Sequence, residues 1–259
     1  MIKLNIVLIS HIVVKNEAKI SSINIKEFLS QGYLVIEDFV SMETLSELRS
    51  AVEKIIQDYK KGVERMQPSN LTRHYGNISQ IGRIFLANQS PFHPELQRYL
   101  KSKPIKQLTS ELLGKKVFLF NEQIVTKEPY TQSSFNWHQD SGYIDFEHKP
   151  YLTTWLALDD TNALNGPLSI IPTKLEKTNK AILHKWSEKS KDLFIKVDES
   201  KARTFLVPAG TLIVFSSLTP HASGSNNSSS PRTAFLAQFS SEIIIDPATG
   251  LKRNRAVPI

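Results

Sequence analysis

Six consecutive residues, Phe135-Asn136-Trp137-His138-Gln139-Asp140, place an imidazole and a carboxylate two positions apart. In an extended strand side chains alternate between faces, so these two would point the same way. Two ligands on one face make half of a metal site. The other half is expected in Pro220-His221-Ala222-Ser223-Gly224, a polar turn that follows a hydrophobic run. Two imidazoles and a carboxylate can occupy one face of an octahedral metal and leave three positions open, an arrangement suited to non-haem Fe(II). By itself His138-x-Asp140 is a weak signal, since a strand histidine bonded to a neighbouring carboxylate looks the same. His11, His74, His93, His148 and His184 show no ligand spacing and read as structural or solvated.

Arg232 gives the pattern a second pole. It lies eleven residues beyond His221, across a Ser/Asn/Gly turn, and opens the apolar run Thr233 to Phe239. Adjacent antiparallel strands joined by such a turn would send both side chains into one barrel interior. A guanidinium there is costly unless an anion meets it, and its planar fork matches a carboxylate. The pair therefore calls for a dicarboxylate, one end on the metal and the other on Arg232. A surface salt bridge at the start of a strand is the competing reading of Arg232.

The elements that must position these residues fall into two textures. An N-terminal part, about residues 23–114, reads as helical. A short helix around Lys26-Glu27-Phe28 breaks at Gly32 before the strand Tyr33 to Ile36. A long helix from about Met42 to Lys60 follows, with Leu45, Leu48, Val52, Ile55, Ile56 and Tyr59 at helical spacing and Thr44-x-x-Glu47 as a capping box. Residues 62–91 read as a long irregular connection carrying Arg73, His74 and Arg83. Pro94 to Leu100 and Pro104 to Leu113 read as short helices with proline near the start, the second stopped by Gly114.

From Lys115 the texture is β. Val117 to Phe120, Tyr151 to Leu158, Leu168 to Ile171, Thr211 to Phe215 and Thr233 to Phe239 are rich in β-branched and aromatic residues, with turn signals between them. Short strands after a helical part predict a mostly β fold: a double-sheet jelly roll (a cupin-like double-stranded β-helix) over about 115–245, with helices packed outside. Residues 173–203 interrupt it with nine basic residues and Trp186, Leu193 and Phe194, which read as a helical insertion or lid. The whole is expected to be one domain, 1–259.

Composition bounds the chemistry. With no cysteine, any metal must use imidazole and carboxylate, favouring iron, manganese or zinc over copper(I) or iron–sulfur clusters. The apolar run Ile2 to Val14 is broken by Lys3, Asn5, Ser10 and His11 and is too short and polar to span a bilayer. A cytoplasmic protein without a membrane partner is expected. The net charge of +7 favours an anionic small molecule.

Several segments together resemble the phytanoyl-CoA dioxygenase family of Fe(II)/2-oxoglutarate-dependent oxygenases. They are Asn121-Glu122-Gln123, Trp137 to Tyr143, Pro150 to Asp160, Asn165-Gly166-Pro167-Leu168, and His221-x-Ser223-Gly224-x-Asn226 with Arg232 following. The likeness covers about residues 23–245. It implies His138, Asp140 and His221 as iron ligands, and Arg232 on the distal carboxylate of 2-oxoglutarate with Ser223 assisting. It also implies Gln123, Trp155 and Arg83 in the co-substrate pocket. The cofactors implied are Fe(II), 2-oxoglutarate and O₂. Retention of Asp140 implies hydroxylation, or desaturation or cyclisation, rather than halogenation. Ile171-Pro172-Thr173-Lys174 departs from the Pro-Gly-Ser-His of many relatives and leaves the small-molecule substrate open between amino acid, acyl and natural-product types. Two rival readings are a non-catalytic jelly-roll module that binds a small molecule or metal, and a nucleic-acid-modifying oxygenase. Asp140 and Arg232 speak against the first, and only charge speaks for the second, so no nucleic-acid partner is expected.

Overall fold

The computed structural model describes residues 25–62, 82–188, 190, 192–253 and 255–259. The run Ile2 to Val14, Arg73 and His74 lie outside the described residues. In chain order the elements are α1 (Ile25–Gln31), β1 (Tyr33–Ile36), α2 (Met42–Lys60), β2 (Arg83–Ala87), α3 (Pro94–Leu100), α4 (Lys103–Leu113), β3 (Phe118–Lys127), β4 (Phe135–His138), β5 (Leu152–Ala157), β6 (Leu168–Ile170), β7 (Lys185–Ser187), β8 (Asp192–Phe194), β9 (Arg203–Thr204), β10 (Leu212–Ser216), β11 (His221–Ser223), β12 (Arg232–Ser240) and β13 (Val257–Pro258). No described helix is long and apolar enough to cross a membrane.

The strands form the two facing sheets of a jelly roll. The larger runs β1-β10-β5-β12-β3-β13, with β2 also paired to β3; the smaller runs β4-β11-β6-β9. Side-chain alternation divides β12 cleanly. Phe235, Ala237 and Phe239 face outward into a core shared with Leu45, Leu48, Val52 and Ile55 of α2, Leu96 and Tyr99 of α3, and Ile105 and Leu108 of α4. Ala234 faces the other way, into a second core with Trp155, Ala157, Ile213 and Phe215. The helices therefore roof the outer face of the large sheet, and the inner face is left for chemistry. The apolar stripe of α2 is the cause: an amphipathic helix must bury its stripe against an equally apolar surface.

The structure corrects three local expectations. The N-cap of α2 is Ser41, whose hydroxyl accepts from the Thr44 amide at 3.1 Å, and not Thr44. Ser41 is one turn earlier and equally able to satisfy a free amide. Residues 83–87 of the supposed irregular connection form β2, which pairs with β3 along Arg83↔Lys127 to Ala87↔Gln123. The basic segment 173–203 holds no α-helix among its described residues. It has the hairpin β7–β8 and two single 3₁₀ turns, Leu175–Lys177 and Glu199–Lys201. Lysine-rich composition fits a solvated helix, but the hairpin docks on β4 through Ile195, whose amide donates to the Trp137 carbonyl at 2.8 Å.

Candidate functional site

His138 ends β4 and His221 opens β11, and the ladder sets them directly opposite one another. Their rings lie 4.2 Å apart between centroids. Each ring is fixed by a bond from Nδ1 to a carbonyl two residues earlier: His138 to Asn136 at 2.7 Å and His221 to Thr219 at 3.0 Å. A carbonyl can only accept, so Nδ1 holds the proton and Nε2 presents its lone pair. Burial, reinforced by the neighbouring His221, pushes the His138 pKa below the ordinary imidazole value. It stays neutral, as a ligand must.

Asp140 leaves the strand and begins a 3₁₀ turn, Asp140–Tyr143. The shared strand face expected for His138 and Asp140 is thus replaced by a turn that swings the carboxylate across both rings. Its Oδ1 lies 3.8 Å from His138 Nε2 and 3.6 Å from His221 Nε2. Its Oδ2 is taken up elsewhere, accepting from Thr153 Oγ1 at 2.5 Å and Gln238 Nε2 at 3.1 Å. All three ligand atoms fall within 4.8 Å of one another, and all three residues are buried. Two lone pairs and one carboxylate oxygen thus converge on a single point. The set suits a divalent metal of the iron, manganese or zinc kind.

Arg232 stands at the other end of the inner face. Its Nη2 donates to the Gly166 carbonyl at 2.9 Å, and the guanidinium lies 5.6 Å from the Trp155 ring centre. Among the described residues no carboxylate sits within ion-pair distance of it. Gly166 supplies this carbonyl from a left-handed conformation, φ +71°, in close contact with Gly224, which leaves no room for a Cβ. His221 and Arg232 do not occupy adjacent strands as expected. β11 belongs to the small sheet and β12 to the large one, so the residues face each other across the barrel.

The remaining candidates divide. Trp155 is opposite Leu236, and Gln123 is opposite the same residue from β3; both are buried on the inner face. Ser223 ends β11 and is buried there, its carbonyl accepting from Lys127 Nζ at 3.1 Å. Arg83 grips Asp192 with two bonds, of 3.0 and 3.1 Å, donates to the Ser134 carbonyl at 3.0 Å, and lies 4.0 Å from the Phe135 ring centre.

Sequence reasoning missed Thr153, Gln238, Lys127 and Asp192. Gln238 and Thr153 carried a readable signal, since both occupy inward positions of apolar strands where a polar side chain needs a reason. Asp192 carried none, because its partner is 109 residues away.

His184, read as structural or solvated, is a structural link to the site. Its Nε2 accepts from the Gln139 amide at 2.9 Å, and its Nδ1 bonds the Ile182 carbonyl at 2.6 Å. The Gln139 side chain returns the contact, its Oε1 accepting from the Ile182 amide at 2.6 Å. The basic segment is thus fastened to the residue between two candidate ligands.

Comparisons with known proteins place the chain in a family. The family model for phytanoyl-CoA dioxygenase (PhyH) matches residues 28–234. A probable alpha-ketoglutarate-dependent hypophosphite dioxygenase of Stutzerimonas stutzeri is 25% identical, covering 83% of this chain and 76% of its own. A 2-aminoethylphosphonate dioxygenase of uncultured bacterium HF130_AEPn_1 is also 25% identical, covering 74% of each chain. Among solved structures, EvdO2 of Micromonospora carbonacea var. aurantiaca complexed with 2-oxoglutarate superposes with a TM-score of 0.64 at 21% identity, covering 88% of this chain and 95% of that one. With the family model matched from α1 into β12, the chain belongs to the phytanoyl-CoA dioxygenase family.

Proposed function

We propose that this chain is an Fe(II)- and 2-oxoglutarate-dependent oxygenase that hydroxylates, desaturates or cyclises at an unactivated C–H bond of a small anionic molecule. His138, Asp140 and His221 would hold the iron, and Arg232 the distal carboxylate of 2-oxoglutarate. Ser223, Gln123 and Trp155 would complete that pocket. The observation that carries the reading is the convergence of His138 Nε2, His221 Nε2 and Asp140 Oδ1, each held by a bond at its other polar atom. When bound, Fe(II) and 2-oxoglutarate supply the oxidising power of O₂, with succinate and CO₂ released.

The protein's own part is orientation and exclusion of water. The Asn136 and Thr219 carbonyls, each accepting from Nδ1, keep both imidazoles aimed, and Thr153 and Gln238 commit one carboxylate oxygen so that the other would face the metal. Trp155 offers an apolar wall beside Arg232, where a carboxylate bound in low dielectric gains most from the guanidinium. The helices roof the outer face of the same sheet whose inner face holds the site, which supports reading the fold as one catalytic domain. An anionic substrate accords with the +7 charge, and the hypophosphite and aminoethylphosphonate named for the two relatives are small molecules of that kind.

The test is anaerobic titration of the metal-free protein with Fe(II) and 2-oxoglutarate, followed by the visible charge-transfer absorption of that chelate. The band should appear with the native chain and vanish in His138→Ala. A band of full strength in His138→Ala would remove His138 from the site.

A further inference from the structure

We propose that Lys127 is a second cationic contact for the distal carboxylate of 2-oxoglutarate, so that this carboxylate bridges Arg232 and Lys127. The proposal rests on the oxygenase reading above and adds a residue to it.

The observation is a row of charge. Arg83 of β2, Lys127 of β3 and Arg232 of β12 stand directly opposite one another across three neighbouring strands. Directly opposed residues point to the same face, with Cβ atoms about 5 Å apart. Here that face is the barrel interior, since Ala234 and Gln238, an even number of residues from Arg232 along β12 and so on its face, reach the inner core and Asp140. All three cations are essentially buried, at 2%, 0% and 2% exposure. Like charges directly opposite one another destabilise a sheet, and burying them without counter-charge costs far more.

Among the described residues a direct ion pair forms at one end of the row, while Asp159 acts on Arg232 only from beyond ion-pair distance. Asp192, from β8, neutralises Arg83 with two hydrogen bonds. Among the described residues the hydrogen bonds of Lys127 go to the carbonyls of Ser223 and Gly224, and those of Arg232 to Asn165 and Gly166. An ammonium has three donors, so two carbonyls leave one for a ligand. Lys127 is the ladder partner of Arg232, and its Nζ reaches the Ser223 carbonyl at the end of β11. Burial and the two flanking guanidiniums push the Lys127 pKa down to about 6, with Asp192 opposing them. A carboxylate arriving between Lys127 and Arg232 would reverse that balance and draw a proton onto the amine. The groups facing Lys127 are thus Arg83, Arg232 and Asp192, with the Phe135 ring of β4 5.4 Å away.

A purely structural lysine that ties down Ser223 and Gly224 makes a different set of predictions. The experiment is calorimetric titration of the Mn(II)-loaded protein at about pH 7.5 in two buffers of different ionisation enthalpy. The ligands are 2-oxoglutarate and 2-oxobutyrate, which lacks the distal carboxylate, against the native chain, Lys127→Met and Lys127→Arg. The native chain should take up about one proton per 2-oxoglutarate and none with 2-oxobutyrate. Lys127→Met should bind 2-oxoglutarate roughly 10- to 100-fold more weakly, without proton uptake, while its affinity for 2-oxobutyrate changes little. Lys127→Arg, always charged, should keep most of the affinity and lose the uptake.

Equal loss for both acids in Lys127→Met would assign Lys127 to holding the loop and overturn the proposal. Unchanged 2-oxoglutarate affinity in a folded Lys127→Met protein would overturn it too. Failure of the native chain to bind 2-oxoglutarate would overturn the oxygenase reading itself, and this proposal with it.

Discussion

Replacing Thr153 by valine is the sharpest probe of the metal centre, because it removes one hydroxyl and keeps the shape. Thr153 Oγ1 donates to Asp140 Oδ2 at 2.5 Å, and Gln238 Nε2 donates to the same oxygen at 3.1 Å and to Thr153 Oγ1 at 3.3 Å. A hydrogen bond to a charged acceptor contributes about 1.5–3 kcal/mol net. At about 1.4 kcal/mol per decade that is roughly 10- to 100-fold in metal affinity, the range seen when an outer partner of a metal ligand is lost. Gln238 survives in Thr153→Val and still holds Oδ2, so the loss should fall near the lower end, about 10-fold. Gln238→Met should behave alike. The double variant should lose more than the two single losses combined, because either donor alone can orient the carboxylate. Competitive titration of Mn(II) against a chelating dye measures each value. If Thr153→Val, folded and with an unchanged melting point, bound metal within about twofold of the native chain, the two carboxylate oxygens would not have separate duties.

Three further outcomes are expected. Asp192→Ala leaves the Arg83 guanidinium buried without counter-charge and should cost about 3–5 kcal/mol in urea unfolding; a loss under about 1 kcal/mol would mark the pair as no stronger than a surface bridge. Lys127 sits near 6 in the fold against 10.5 when free, so between those values the unfolded chain holds a proton the folded chain lacks. The stability contributed through Lys127 should therefore rise with pH across that window in the metal-free protein, and the rise should flatten in Lys127→Met; an unaltered slope would contradict it. Gly166→Ala forces a Cβ against the Gly224 carbonyl from a left-handed backbone. It should lower the melting point and weaken 2-oxoglutarate binding together, since Gly166 also holds Arg232. Native binding at a lowered melting point would separate the two.

Where one local rule governed a segment, the sequence was readable. The stripe from Leu45 to Ile55 gave α2 its true bounds, and the spacing of His138, Asp140 and His221 named residues that the fold brings together. What escaped depends on pairing between distant segments. Residues 121–127, Asn-Glu-Gln-Ile-Val-Thr-Lys, have the composition of an exposed strand, yet all are buried because β12 flanks them on one side and β2 covers much of the other. The basic segment misled for the same reason. Its lysines suit a solvated helix, while Asp192, Ile195 and His184 gain their meaning only from Arg83, Trp137 and Gln139 on other strands.

The division of the candidate ligands between sheets has a mechanical consequence. Both histidines belong to the small sheet, while the donors that hold the aspartate, Thr153 and Gln238, belong to the large one. A metal ion at their meeting point acts as a rivet through two plates. Loading it should slow amide hydrogen exchange in β5 and β12 as well as in β4 and β11, although the ion touches no side chain of the large sheet. Breathing of the two plates and escape of the metal then become one motion, and the rate at which the barrel opens limits how long the metal stays.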